Sequence, residues 1–239
     1  MNTNPIIIAL DVENASQALQ LVDRLGAPAD FYKVGMELYA AEGMPVVREL
    51  LKRGKRVFLD LKLYDIGETV KRAVAQIART DVTFLTVHGS SAVMRAAVEG
   101  RGASKVRLLG VTVLTSFDRE DLMDLGFPCE VSDLVSLRVR NAMRAGMDGV
   151  ICSPLDVRAV RGEAGPMALL VTPGVRSAGA SAGDQKRVAT PSQAMADGAS
   201  YLVIGREVTR AADPAAEFDR ITRAMEEKAM LQSPQFRAN

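Results

Sequence analysis

The sequence predicts an α/β fold, a (β/α)8 TIM barrel in a single domain. Short apolar runs alternate with helical patterns along the whole chain, as repeated βα units around a parallel sheet require. Eight runs and eight helical stretches can be marked out in 239 residues, a length that suits one barrel. The open doubly wound sheet is the alternative. Its Gly-x-Gly-x-x-Gly turn is missing after the first run, where Asp11-Val-Glu-Asn-Ala-Ser leads into a helix instead.

The predicted strands are Ile6–Leu10, Phe31–Val34, Val57–Leu63, Phe84–His88, Val106–Val113, Gly149–Cys152, Ala168–Val171 and Tyr201–Ile204. The helical patterns between them cover Ser16–Leu25, Met44–Arg53, Ile66–Arg79, Ser91–Glu99, Asp133–Ala145, Val157–Ala164, Ser192–Asp197 and Pro214–Met230. Gly26-Ala-Pro28, Gly100-Arg-Gly102 and Gly165-Pro166 read as punctuation of helix-to-strand turns. No linker or low-complexity segment divides residues 1–239, and the tail 232–239, aperiodic with Ser, Pro and Asn, is expected to fray.

Composition narrows the function classes. Apolar residues make up 48% and charged residues 25%, an ordinary balance for a soluble globular protein. The net charge of +1 shows no basic excess for nucleic acid or membrane, so an anionic substrate needs a local cluster of cations. Cys129 and Cys152 match no metal or redox spacing; they read as small buried hydrophobes in a reducing, cytoplasmic setting. Ile6 to Leu10 is too short for a signal core, and no run approaches a membrane span.

The third strand carries the chemistry. Side chains alternate across a strand, so Val57, Leu59, Leu61 and Leu63 offer an apolar face to a helix layer while Phe58, Asp60 and Lys62 take the other face. Asp65 follows just past the strand end. Charges on an inner face are costly unless paired. The bland interpretation is a structural Asp60–Lys62 pair capping a strand. The sharper one is a lysine held protonated between carboxylates, a poor nucleophile but a well-placed proton donor.

In a barrel, reactive groups collect at the C-terminal strand ends. Asp11, Lys33, the Asp60–Lys62–Asp65 group, His88, Thr112 with Thr115 and Ser116, Ser153, Arg176 and Arg206 all fall at such ends. Singly, each has a plain explanation: Asp11 as a helix cap, His88 as a hydrogen-bonded wall residue, Arg206 as a surface residue. One histidine without a second makes no usual zinc site. Together they concentrate acids, lysines and arginines at one end, which a purely structural scaffold has no reason to do.

Thr172 to Arg187 is long and rich in small residues, with Gly174, Gly179 and Gly183. Such loops are usually binding loops, and small residues let backbone N–H groups approach a phosphate. Ala180-Ser181 stands where a Walker loop needs Lys-Ser/Thr, so no nucleotide triphosphatase is implied. Barrel phosphate sites lie after strands seven and eight, where Arg176 and Gln185 would meet Gly205 and Arg206. A merely flexible surface loop is the competing interpretation.

With these motifs in place, the chain resembles the orotidine 5'-monophosphate decarboxylase family. Asp60-x-Lys62-x-x-Asp65-Ile66-x-x-Thr69 matches its signature, and Ile8-Ala-Leu-Asp11, Lys33, Leu114-Thr115-Ser116, Thr172-Pro-Gly-Val-Arg176, Gly183-Asp-Gln185 and Val203-Ile-Gly-Arg206 follow in order and spacing. The Asp-x-Lys-x-x-Asp core alone is shared with sister sugar-phosphate decarboxylases and aldolases; the phosphate loop narrows the match.

The resemblance implies a carboxy-lyase that converts orotidine 5'-monophosphate to uridine 5'-monophosphate and CO2, the last step of de novo pyrimidine synthesis. It implies no metal or organic cofactor and a homodimer with sites shared across the interface; composition already speaks against a nucleic-acid or membrane partner. By the same resemblance Lys62 protonates C6 of the base. Asp60 sits beside the leaving carboxylate and holds Lys62 charged, and the catalytic Lys33, Asp60 and Lys62 act with Asp65 and Thr69 of the neighbouring subunit. Asp11 and Lys33 hold the ribose, and Thr115 addresses the base. Gln185, Gly205 and Arg206 grip the phosphate with Arg176 supporting. The rivals are a Mg2+-dependent sister enzyme on a keto-sugar phosphate, a Schiff-base aldolase through Lys62, and a non-catalytic phosphate-binding barrel.

Overall fold

A computed structural model describes residues 4–177 and 189–232. The chain runs β1 (Ile6–Ala9), α1 (Ala15–Leu25), β2 (Phe31–Val34), α2 (Met36–Lys52), β3 (Arg56–Leu63), α3 (Gly67–Ile77), β4 (Phe84–Val87), α4 (Ser91–Arg101) and β5 (Arg107–Val111). It continues with α5 (Arg119–Asp124), α6 (Val131–Ala145), β6 (Gly149–Ile151), α7 (Val157–Ala164), β7 (Leu169–Thr172), α8 (Pro191–Ala196), β8 (Tyr201–Ile204), α9 (Arg206–Thr209) and α10 (Pro214–Gln232). The eight strands pair in chain order, all parallel, and β8 closes onto β1 with Ile8 opposite Ile204. This is the predicted (β/α)8 barrel.

Strand alternation supplies two cores. Ile7, Phe31, Phe58, Phe84, Leu109 and Val171 point into the barrel and fill it. Their neighbours Ile8, Tyr32, Val57, Leu59, Leu85 and Leu108 point outward beneath the helices. The interior plug is aromatic: Phe31 and Phe84 lie 5.1 Å apart, and Tyr201 packs edge-on to Phe84 at 5.2 Å. Tilted and edge-on rings are the favoured arrangements of such pairs. The plug seals the barrel below the rim where the polar groups gather. At the opposite rim, Asp148 accepts from Arg101 at 2.5 Å, Arg107 at 2.8 Å and the Leu108 N–H at 2.9 Å, tying β5 to the approach of β6.

The structure departs from the sequence expectations in identifiable ways. The second helix starts at Met36 rather than Met44. Gly43, at φ 59°, and Pro45 interrupt it, and its buried positions Val46, Val47 and Leu50 are concentrated in the second half, which alone reads as periodic. Two short helices, α5 and α9, sit in the loops after β5 and β8. The turn expected at Gly100 is instead the end of α4, with Gly102 as its cap. Cys152 is buried as expected, whereas Cys129 is only half-buried. Helix α10 reaches Gln232; the rest of the expected tail, 233–239, lies outside the described residues.

Candidate active site at the C-terminal rim

The rim is built from β1, β2 and β3, which lie side by side. Asp11 stands just past β1, Lys33 lies on β2 with Ala9 and Phe58 as its cross-strand partners, and Asp60 and Lys62 belong to β3. Adjacency brings the four together. Lys33 Nζ donates to Asp11 Oδ1 at 2.8 Å and stands 3.9 Å from Asp60 Oδ2. Lys62 Nζ donates to the same Asp60 oxygen at 3.0 Å. Charges therefore alternate acid, base, acid, base. Lys33 is only 9% exposed, and a cation so buried is tolerable because two carboxylates flank it. Gly35 makes room: a methyl group there would fall 2.8 Å from Lys33 Nζ and 3.1 Å from Asp11 Oδ1.

The end of β3 is irregular. Leu59 pairs with Leu85 and Leu63 with Val87, so Asp60, Leu61 and Lys62 all stand opposite Thr86. Such a bulge re-aims side chains at a functional rim. Lys62 absorbs the distortion with φ 48°, in the left-handed region that residues other than glycine seldom enter. Its N–H donates to the Thr86 hydroxyl at 2.9 Å, and that hydroxyl donates to Asp60 Oδ1 at 2.9 Å.

Beside the tetrad opens a cavity of about 400 Å3, lined among others by Asp11, Lys33, Glu37, Arg176, Arg206 and Arg210. Three arginines among the lining residues make it a candidate place for an anion. Arg176 leaves β7 on a fixed stem: Val175 bridges Ala189, the Arg176 N–H donates to the Ala189 carbonyl at 3.0 Å, and Nη1 donates to the Val175 carbonyl at 2.7 Å. The Ser177 N–H donates to Glu207 of α9 at 3.1 Å, and Arg220 of α10 donates to that Glu207 at 3.1 Å. Gly205 precedes α9 and Arg206 opens it. Gly179, Gly183 and Gln185 lie outside the described residues.

Other predicted site residues fall elsewhere. Thr115 is half-buried in the loop after β5. Asp65 and Thr69 are not brought into the tetrad; both are exposed, and Asp65 accepts the N–H of Ile66 at 2.6 Å. The backbone N–H of His88, just past β4, donates to the Leu63 carbonyl at 3.0 Å, and its carbonyl accepts from the Ser90 N–H at 2.9 Å. Its ring packs edge-on against Tyr64 at 5.2 Å. Burial, followed by the nearby charges of Arg138 and Lys62, lowers the His88 pKa and favours the neutral imidazole. Arg138, whose own acidity is raised by burial, donates to the Thr112 carbonyl.

Sequence reasoning missed Thr86, Glu37 and Arg210. Thr86 reads as an ordinary strand residue until the bulge puts it opposite Asp60 and Lys62. Glu37 belongs to the half of α2 that was not anticipated, and Arg210 follows the unforeseen α9. Among the described residues no group of three His, Cys, Asp or Glu is placed to hold a metal ion. A larger groove, about 690 Å3, lies at the other end of the barrel between residues such as Lys105, Asp148, Met167 and Tyr201. It is remote from the acid–base array.

Comparison with known proteins points one way. A family model described as "Orotidine 5'-phosphate decarboxylase / HUMPS family" matches residues 4–221. The orotidine 5'-phosphate decarboxylase of Rhodopseudomonas palustris (strain TIE-1) is 52% identical over 216 residues, covering 90% of this chain and 91% of that one. The protein of the same name from Methylorubrum extorquens (strain PA1) is 48% identical over 222 residues, covering 93% and 95%. The crystal structure of orotidine 5'-phosphate decarboxylase from Lactobacillus acidophilus superposes with a TM-score of 0.80 at 35% identity, covering 93% of this chain and 99% of that one.

Proposed function

Because the chain belongs to the orotidine 5'-phosphate decarboxylase / HUMPS family, matched over residues 4–221, we propose that it converts orotidine 5'-monophosphate to uridine 5'-monophosphate and CO2. The observation that carries this is the Asp11–Lys33–Asp60–Lys62 array beside an arginine-lined cavity. The array offers a fixed cation at a reacting carbon; the cavity offers a grip on a phosphate.

The phosphate binds Arg206, Gly205 and Gln185, with Arg176 supporting the loop. Asp11 and Lys33 hold the ribose hydroxyls, and Thr115 meets the base. The substrate carboxylate lies against Asp60. As the bond from C6 to the carboxylate breaks, CO2 leaves and the electron pair remains at C6. The Lys62 ammonium stabilises that charge and then delivers its proton to C6, forming the new C–H bond; solvent reprotonates the amine. Preorganised charge of this kind is usually the largest single contribution to catalysis. Binding energy from the remote phosphate orients the base above Lys62.

The same reading makes the protein a homodimer in which Asp65 and Thr69 complete the neighbour's site. Its support on this chain is the β3–α3 corner, where Asp65 lies between the exposed Tyr64 and Ile66, 68% and 75% accessible. Exposed apolar groups of this size mark contact surfaces. None of the helices among the described residues is long and apolar enough to cross a membrane, and we assign the reaction to the cytoplasm.

Addition of orotidine monophosphate, followed by its ultraviolet absorbance with and without a chelator, tests the reading. Turnover at equal rates in both arms is expected. Turnover abolished by chelator would move the chain to the Mg2+-dependent sister activity. No turnover at all, with phosphate ligands still bound, would leave a binding barrel.

A further inference from the structure

Thr86 is fully buried in β4 and stands alone opposite the three bulged residues of β3. In a regular parallel ladder the N–H of a strand residue reaches a backbone carbonyl of its neighbour. At Lys62 it reaches a side-chain hydroxyl instead, at 2.9 Å, and the same hydroxyl lies 2.9 Å from Asp60 Oδ1. The direction of both bonds is fixed by chemistry. An amide N–H can only donate and an ionised carboxylate can only accept, so the hydroxyl accepts from Lys62 and donates to Asp60.

We propose that Thr86 is a positioning residue for the decarboxylation, a single hydroxyl that sets both the backbone of the proton donor and the rotamer of the carboxylate beside it. The proposal rests on the function proposed above. Asp60 has one oxygen for the hydroxyl and the other for the two lysines, Lys62 at 3.0 Å and Lys33 at 3.9 Å. With Oδ1 held, Oδ2 cannot rotate away from the ammonium groups. With the Lys62 N–H held, the φ 48° conformation persists without a ladder bond. Valine at this position would fill the same space, yet leave a part-buried N–H without its acceptor and a carboxylate without its donor. The ribose and phosphate contacts lie on other elements, so misplacing this pair alters the chemical step rather than substrate capture.

The test compares Thr86→Val, which keeps the shape, with Thr86→Ser, which keeps the hydroxyl. Rates are taken per site competent to bind uridine monophosphate, so partial unfolding does not count. Thr86→Val is expected to lower kcat roughly 10- to 100-fold, the range of a lost hydrogen bond to a charged group, with KM changed by no more than about threefold. Thr86→Ser should stay within about threefold of wild type. A kcat for Thr86→Val close to wild type, or a serine variant as slow as the valine one, overturns the proposal. If Thr86→Val does not fold, Thr86→Ala replaces it, and equal kcat for serine and alanine has the same consequence. Wild type assayed alongside separates the two readings. An inactive wild type refutes the decarboxylase assignment, whereas an active wild type with an equally active valine variant refutes only the role of Thr86.

Discussion

Lys62 keeps a left-handed backbone, φ 48°, in a strand. For a residue with a side chain that conformation costs about 1–2 kcal/mol, and strain of this kind persists where surrounding contacts over-determine it. The ammonium on Asp60 and the N–H on Thr86 are those contacts. Lys62→Ala gives up the first contact but keeps the backbone bond to Thr86, so it should fold and bind uridine monophosphate while losing at least ~10²-fold in turnover; turnover within a few-fold of wild type in a folded variant would remove Lys62 from the mechanism. Asp60 and Lys62 were legible in sequence because two charges on the inner face of an otherwise apolar strand have few structural uses. Thr86 was not, since its role depends on a change of pairing register that no local pattern announces. His88 gives a residue-scale test of electrostatics. Burial holds its folded pKa below the ordinary value, near ~6.5 in an unfolded chain. Stability is thus complete above about pH 6.5 and falls as pH drops towards the lowered folded value, because only the unfolded chain takes up the proton there. The chain has one histidine, so a single imidazole NMR signal reports the titration; a midpoint at or above that of a free histidine contradicts the burial argument.

Elements explain what residues cannot. Helices α3 and α4 approach so closely at Gly100 that an added methyl would fall 2.2 Å from the Lys71 carbonyl oxygen. That contact, not a turn, is why glycine stands there, and sequence alone offers no way to tell close packing from punctuation. Gly100→Ala should push the helices apart and destabilise the fold by roughly 1–3 kcal/mol, measured by urea denaturation; an unchanged midpoint would show that the helices slide freely. The short α9 was equally illegible, because four residues, Arg206–Thr209, are too few to display a period. What barrel logic did anticipate is the placement of Gly205 and Arg206 after β8, since phosphate-binding groups are expected after strands seven and eight. If Arg206 meets only the phosphate, Arg206→Ala should lower kcat/KM for orotidine monophosphate strongly, yet hardly alter turnover of the phosphate-free nucleoside. Equal losses on both substrates would place Arg206 near the base instead.

At the scale of the whole molecule, the barrel divides its labour between two ends: Asp148 with its arginines fastens one rim, and the acid–base tetrad occupies the other. Eightfold alternation of strand and helix made that architecture readable, since a parallel sheet leaves few other ways to bury so many apolar strands. A partner chain is not readable in the same manner, because one protomer satisfies its own strand pairing completely. What remains is local: Asp65 and Thr69 match the family signature, are exposed, and make no hydrogen bond or ion pair with the tetrad among the described residues, Asp65 accepting the Ile66 N–H instead. A shared site accounts for both facts and makes a quantitative prediction. Lys62→Ala and Asp65→Ala chains should each be nearly inactive as homodimers. In a mixed dimer, one site takes Lys62 from the Asp65→Ala chain and Asp65 from the Lys62→Ala chain and is intact, while the other lacks both. After random exchange of equal amounts, about half the dimers are mixed and about half of their sites work, so activity should recover to roughly one quarter of wild type. The two purified variants are mixed, exchange is followed by mass labelling, and the mixture is assayed. Activity that stays at the sum of the parents despite complete exchange would mean that Asp65 serves its own chain and that the shared-site reading is wrong.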